Sequence, residues 1–175
     1  SSCVQIQTSG DEYIICDMGS GFRELGQQVL QDHGPGKPNV FNIFMSHVHW
    51  DHIMGFPFFV PAYIPGNVIR IHGCHATMEE ALRKQQSDPC FPVHFDAMGA
   101  EIEFVKLDPG QTYNVGGVSV RPLLQPHHGD SYGYRFEVDG KTAVYSTDGE
   151  HKLESLEETD IFVEFLRDAD IVIFD

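Results

Sequence analysis

The segment His47-Val48-His49-Trp50-Asp51-His52 constrains this chain more than any other feature. It sets three imidazoles and a carboxylate within six residues, directly behind the apolar run Val40–Met45, which reads as a buried strand. In an extended segment, positions i and i+2 point the same way. His47 and His49 can therefore converge on one ion. As the chain turns into a helix, Asp51 and His52 can swing to a second. Imidazole with carboxylate suits zinc, and also manganese and iron. A polar surface loop would gather this density of ligands only by chance.

The flanking pattern predicts a single domain over 1–175 with a substantial core. Strands are predicted over 4–8 and 13–16 as a hairpin joined by Ser9-Gly10-Asp11-Glu12, then over 40–45, 68–72, 102–107 and 118–124. A further hairpin, 132–138 with 142–146, turns on Asp139-Gly140-Lys141, and a last apolar strand covers 171–174. Helical spacing covers 22–31, 77–86 and 155–166, with Thr77 and Glu80 at the positions of a capping box. The stretch from Phe56 to Pro65 is rich in Phe and Pro. Hairpins and helices alternate irregularly. This suits mixed sheets covered by helices better than a doubly wound parallel sheet.

Composition narrows the chemistry. The formal net charge is −15, with only 11 Lys and Arg, scattered along the chain. Such a field repels polyanions, so long nucleic acids are poor substrates, although bound cations reverse the sign locally. No apolar run reaches the length of a membrane span. The best, 56–64, is short and broken by Pro57 and Pro61. Cysteines stand at 3, 16, 74 and 90 with no C-x-x-C pair, which argues against a thiolate zinc cluster. Cys16 reads as a buried thiol, and the set points to a reducing, cytoplasmic setting. The chain opens at Ser1 without Met, so the natural start is expected upstream.

The segment 47–52 resembles the H-x-H-x-D-H signature of the metallo-β-lactamase superfamily. Other marks of that family follow in order along nearly the whole chain. Asp17 after a strand resembles its first motif, a side chain that braces the metal loop without binding metal. Pro126-His127-His128-Gly129, followed by Gly133-Tyr134-Arg135, resembles the phosphodiesterase-like branch, which includes cyclic-nucleotide phosphodiesterases and transfer-RNA 3′-processing nucleases. That spacing selects His127 as a ligand and leaves His128 in an outer shell or facing solvent. Asp148, at the end of a strand, resembles the carboxylate that bridges both ions.

The resemblance implies an α/β (α+β) fold, a four-layer αβ/βα sandwich with two mixed sheets. It implies two divalent ions, zinc foremost, with manganese or iron as alternatives. The first ion would take His47, His49 and His127, and the second Asp51, His52 and Asp148. It also implies a further His beyond the strand that ends at Asp175, so the natural chain is expected to continue. His33, His72, His75, His94 and His151 match no ligand position, although His151 and Asp175 lie where an outer-shell role is open.

The expected reaction is hydrolysis of a small or cyclic phosphodiester by a hydroxide shared between the ions, with Asp51 orienting it and Asp148 bridging. The alternatives are transfer-RNA 3′-end processing, hydrolysis of a lactam, lactone or thioester, and a degenerate relative that binds without turnover. The first needs a basic RNA-gripping arm that the sequence lacks, and the intact cluster argues against the last. Di-iron oxidoreductases of the superfamily carry Glu where His49 stands. The expected partner is a small-molecule substrate, with no membrane association and a homodimer left open.

Overall fold

The computed structural model describes residues 2–150 and 156–175. The chain divides into two compact units, one running to Lys106 and one from Leu107 onward. Each is built on its own five-stranded sheet.

In the first unit the strands lie in chain order: β1 (Val4–Ile6), β2 (Tyr13–Cys16), β3 (Val40–Met45), β4 (Val68–Gly73) and β5 (Glu101–Lys106). β1 and β2 form the expected antiparallel pair, and the later pairs are parallel. Parallel neighbours require crossovers. The helix α1 (Gly21–His33) serves between β2 and β3, the one-turn helix α2 (Trp50–Ile53) and two 3₁₀ turns between β3 and β4, and α3 (Met78–Gln85) between β4 and β5.

Ile15, Phe41, Ile43, Met45, Ile69 and Ile71 lie on one face of this sheet and join Phe22 and Val29 of α1 and Met78 and Leu82 of α3 in a buried apolar cluster. The Phe- and Pro-rich stretch belongs to the same cluster. Pro57 and Pro61 sit in the first turn of 3₁₀ segments at Phe56–Phe58 and Val60–Tyr63, where a fixed φ is an advantage. These turns drive Phe56, Phe59 and Ala62 fully inward. Phe22 stacks on Phe59 at 3.9 Å between centroids, and Phe41 meets Phe59 edge-on at 5.0 Å. The chain immediately after His52 is thereby pinned to the core.

Thr77 occupies the cap position of α3, but its side chain makes no capping hydrogen bond. Its φ of −96° and ψ of 6° depart from the extended cap geometry that aims a hydroxyl at the first turn's N–H groups. The expected capping box with Glu80 is therefore absent.

The other face of the sheet carries Ile14, Cys16 and Phe44, all fully buried, together with Asn42 and His72. His72 stacks on Phe44 at 4.8 Å, and its Nε2 lies 3.2 Å from Asn42 Oδ1. Burial first, then the nearby Arg70 charge, pushes its pKa down from 6.5 to about 4. Between those values the unfolded chain binds a proton that the folded chain refuses, so stability falls as pH drops through 6.5 and levels off below about 4. Metal-free protein should lose roughly 3 kcal/mol over this window through His72. Urea unfolding of wild type and His72→Gln at pH 7 and pH 4.5 checks this. The variant should show a shallower acid loss, and an identical loss in both contradicts the assignment.

The second unit orders its strands β10-β9-β8-β7-β6: β6 (Tyr113–Val115), β7 (Val118–Gln125), β8 (Ser131–Val138), β9 (Lys141–Ser146) and β10 (Ile171–Phe174). Pairs are antiparallel except β10 with β9, which run parallel after the crossover helix α4 (Leu156–Leu166). Asp139 and Gly140 have φ of 52° and 71°, the two positive values that a two-residue hairpin loop demands. Arg135 Nη1 donates to the carbonyls of Phe165 and Arg167 at 3.0 and 2.8 Å. It thereby satisfies orphan carbonyls at the end of α4. No helix among the described residues is long and apolar enough to cross a membrane.

Candidate metal centre

β3 runs straight into the His-rich segment. His49 is extended, with φ −63° and ψ 155°, and α2 begins at the next residue. The extended step places His47 Nε2 2.9 Å from His49 Nδ1, with the rings edge-on at 4.4 Å. Two nitrogens bound tetrahedrally to one zinc ion at its usual bond length lie about 3.3 Å apart. The pair therefore fits a shared ion. α2 then turns Asp51 outward, with its side chain 70% exposed, and folds His52 inward to 2%. His52 Nε2 lies 3.3 Å from Asp51 Oδ2, a second donor pair at ligand spacing.

Asp17 organises this loop. It follows β2 at φ 56°, a left-handed conformation that Asp tolerates better than bulky residues, and it is fully buried. Its Oδ1 accepts the Ser46 N–H at 2.7 Å, and its Oδ2 accepts the Ser46 hydroxyl at 2.6 Å and His52 Nδ1–H at 2.8 Å. With its proton given to Asp17, Ser46 Oγ accepts from His47 Nδ1–H at 3.0 Å. Both imidazoles are thus protonated on Nδ1 and keep their lone pairs on Nε2, the nitrogens of the two donor pairs.

The backbone is secured separately. A one-turn helix leaves carbonyls without internal partners. Here Asp51 O accepts from Ser2 Oγ at 3.2 Å, His52 O from Met18 N–H at 2.8 Å and Ile53 O from Gln85 Nε2 at 2.9 Å. A Cβ at Gly19 would stand 2.6 Å from Asp51 O, so only glycine permits this approach. Sequence reasoning missed Ser2, Ser46 and Gln85. Ser46 adjoins the motif and was the one within reach of inspection. Burial and then Asp17 push the Cys3 thiol up to about 12 and raise Cys16 as well, so neither offers a thiolate at neutral pH.

In the second unit the expected residues stand at strand ends. His127 follows β7 in a turn closed by Asp130 N–H to His127 O at 3.0 Å. Its Nδ1 lies 3.0 Å from Glu150 Oε1, which fixes the proton there and the lone pair on Nε2. Glu150 N–H bonds Pro126 O at 2.7 Å, so the backbone ties the segment after β9 to the one carrying His127. His128 is exposed. Asp148 is left-handed at φ 55°, and its Oδ2 accepts from Thr147 Oγ1 at 3.1 Å. Asp175 is exposed, and its N–H bonds Ser146 O at 3.2 Å. His151 lies outside the described residues.

Residues 12–175 match the family model of the β-lactamase superfamily domain, and the chain belongs to that family. Among curated proteins it is 30% identical over 130 residues to a ribonuclease Z of Staphylococcus haemolyticus (strain JCSC1435), covering 70% of this chain and 38% of that one. It is 29% identical over 133 residues to a ribonuclease BN of Escherichia coli O1:K1 / APEC, covering 73% and 39%. The chain thus spans about two fifths of the length of these relatives. Among solved structures, the metallo-beta-lactamase fold protein YhfI from Bacillus subtilis matches with a TM-score of 0.63 at 20% identity, over 96% of this chain and 60% of that one. Unliganded yeast PDE1 matches with a TM-score of 0.64 at 14% identity, over 94% and 65%. The chain has the metallo-β-lactamase fold, of the α/β class with two mixed sheets, and that fold implies binding of divalent metal.

Proposed function

We propose that this domain is a metal-dependent phosphodiesterase acting on a small or cyclic phosphodiester in the cytoplasm. His47, His49 and His127 would hold one divalent ion. Asp51, His52 and Asp148 would hold a second, with Asp148 shared. The observation that carries the reading is the pair of donor sets on the metal loop, His47 Nε2 with His49 Nδ1 at 2.9 Å and His52 Nε2 with Asp51 Oδ2 at 3.3 Å. Zinc suits this imidazole and carboxylate set, and manganese or iron can take it.

Bound divalent ions supply Lewis acidity and lower the pKa of water toward neutrality. The residues of the chain do the rest. Asp51 projects into solvent from the start of α2, where it can align an attacking water and take its proton. Asp17 and Ser46 keep the lone pairs of His47 and His52 on Nε2, and Glu150 does the same for His127. These donors are oriented before substrate arrives, so no reorganisation is needed as charge develops on the phosphoryl oxygens.

Ribonucleases among the relatives support phosphodiester chemistry and favour a second reading, cleavage of RNA. The net charge of −15 with 11 basic residues opposes it. Transfer RNA should therefore bind weakly, with a shallow dependence on salt. Filter binding at several salt concentrations checks this, and tight binding that collapses as salt rises would move the substrate to RNA. The reaction class itself is tested with a panel: bis-p-nitrophenyl phosphate and cyclic nucleotides against nitrocefin and thioesters, with zinc and with manganese. The diesters should be the substrates turned over. Preference for nitrocefin or a thioester would replace the reading.

A further inference from the structure

We infer that Trp50 is the platform of a nucleobase subsite at the edge of the metal loop. The inference rests on the phosphodiesterase reading and names the substrate class: a diester whose scissile phosphate adjoins a planar base.

From α2 through Met54 and Gly55 to the first 3₁₀ turn, the backbone winds right-handedly without a break. Met54 has φ −62° and ψ −20°, and Gly55 has φ −82° and ψ −20°. Its inner side is fully used, because His52, Ile53, Phe56 and Phe59 are buried. Its outer side carries Trp50, Met54 and Phe58, exposed by 59%, 36% and 51%. Phe91 meets Phe58 edge-on at 5.5 Å and widens the patch. A run of large apolar groups held out to solvent marks a binding surface more often than chance exposure does. This one adjoins the proposed ligands along the chain, since Trp50 stands between His49 and Asp51 at the start of α2, and its ring and the Asp51 carboxylate are both exposed.

Charge selects the occupant. A domain of net charge −15 gains little from long-range attraction for an anionic substrate. Affinity beyond the phosphate must then come from an uncharged term. Stacking a base on tryptophan is such a term, contributing about five- to a hundredfold per base. A mononucleotide diester brings the base with the fewest charges, whereas an RNA strand brings it with many.

Trp50 is the chain's one tryptophan, so its fluorescence reports on this site alone. Zinc-loaded protein titrated with adenosine 5′-monophosphate should show saturable quenching, with binding about tenfold tighter than ribose 5-phosphate. Equilibrium dialysis should show that Trp50→Ala binds the two ligands alike and that Trp50→Phe keeps most of the preference. Equal binding of both ligands by wild type, or an undiminished preference in Trp50→Ala, overturns the inference. Short single-stranded RNA should bind no tighter than the mononucleotide, and much tighter binding overturns the small-substrate form of it. Turnover of bis-p-nitrophenyl phosphate by the same preparation separates the two levels. A Trp50-dependent base preference without diester turnover would sink the phosphodiesterase reading and leave the subsite standing.

Discussion

Asp51→Asn should lower diester turnover by about three orders of magnitude or more while the protein remains folded. The side chain is 70% exposed, so the amide costs the core nothing and keeps the shape. What it loses is the negative charge that pairs with His52 Nε2 in holding the proposed second ion. It also loses the basicity to take a proton from the attacking water. Both losses fall on one step, and residues acting as a unit in catalysis show such large, non-additive effects. Initial rates on the best diester, with circular dichroism as the control for folding, measure the outcome. Turnover within a few-fold of wild type would remove Asp51 from the mechanism.

Removing His127 should strip the proposed first ion, whereas removing its neighbour His128 should leave metal content near normal. The structure distinguishes the two. His127 is half-buried, with Nδ1 fixed by Glu150 at 3.0 Å, the partner a ligating imidazole needs to keep its lone pair on the other nitrogen. His128 is exposed. Elemental analysis of His127→Ala and His128→Ala, purified in parallel, should show loss of about one ion per chain and abolished turnover in the first variant only. The opposite pattern would mean that the third motif is displaced by one residue.

Much of this was legible in the sequence because strong local signals coincided with tertiary demand. The apolar runs Val40–Met45 and Ile171–Phe174 became strands with the expected ends. Asp139-Gly140 became the hairpin turn that its chemistry requires. β6 was missed. Its strand is three residues long, too short to show a period, yet Gly116-Gly117 with φ of 57° and 81° is the same kind of two-residue turn and could have revealed it. The Thr77 capping box failed for the converse reason, since a matching pair of residues does not dictate the backbone conformation that the box needs. On the metal loop, the segment from His47 to His52 could be read directly. The supports could not, because Ser2 and Gln85 reach Asp51 and Ile53 from 49 and 32 residues away and carry no spacing signature.

Metal content should govern diester cleavage. Metal-free protein would be titrated with zinc or manganese while turnover of bis-p-nitrophenyl phosphate is followed against bound ion. The expected result is no turnover in chelator and a rate that rises chiefly as the second equivalent binds. Full activity with one ion, or turnover that persists in metal-free protein, would contradict it.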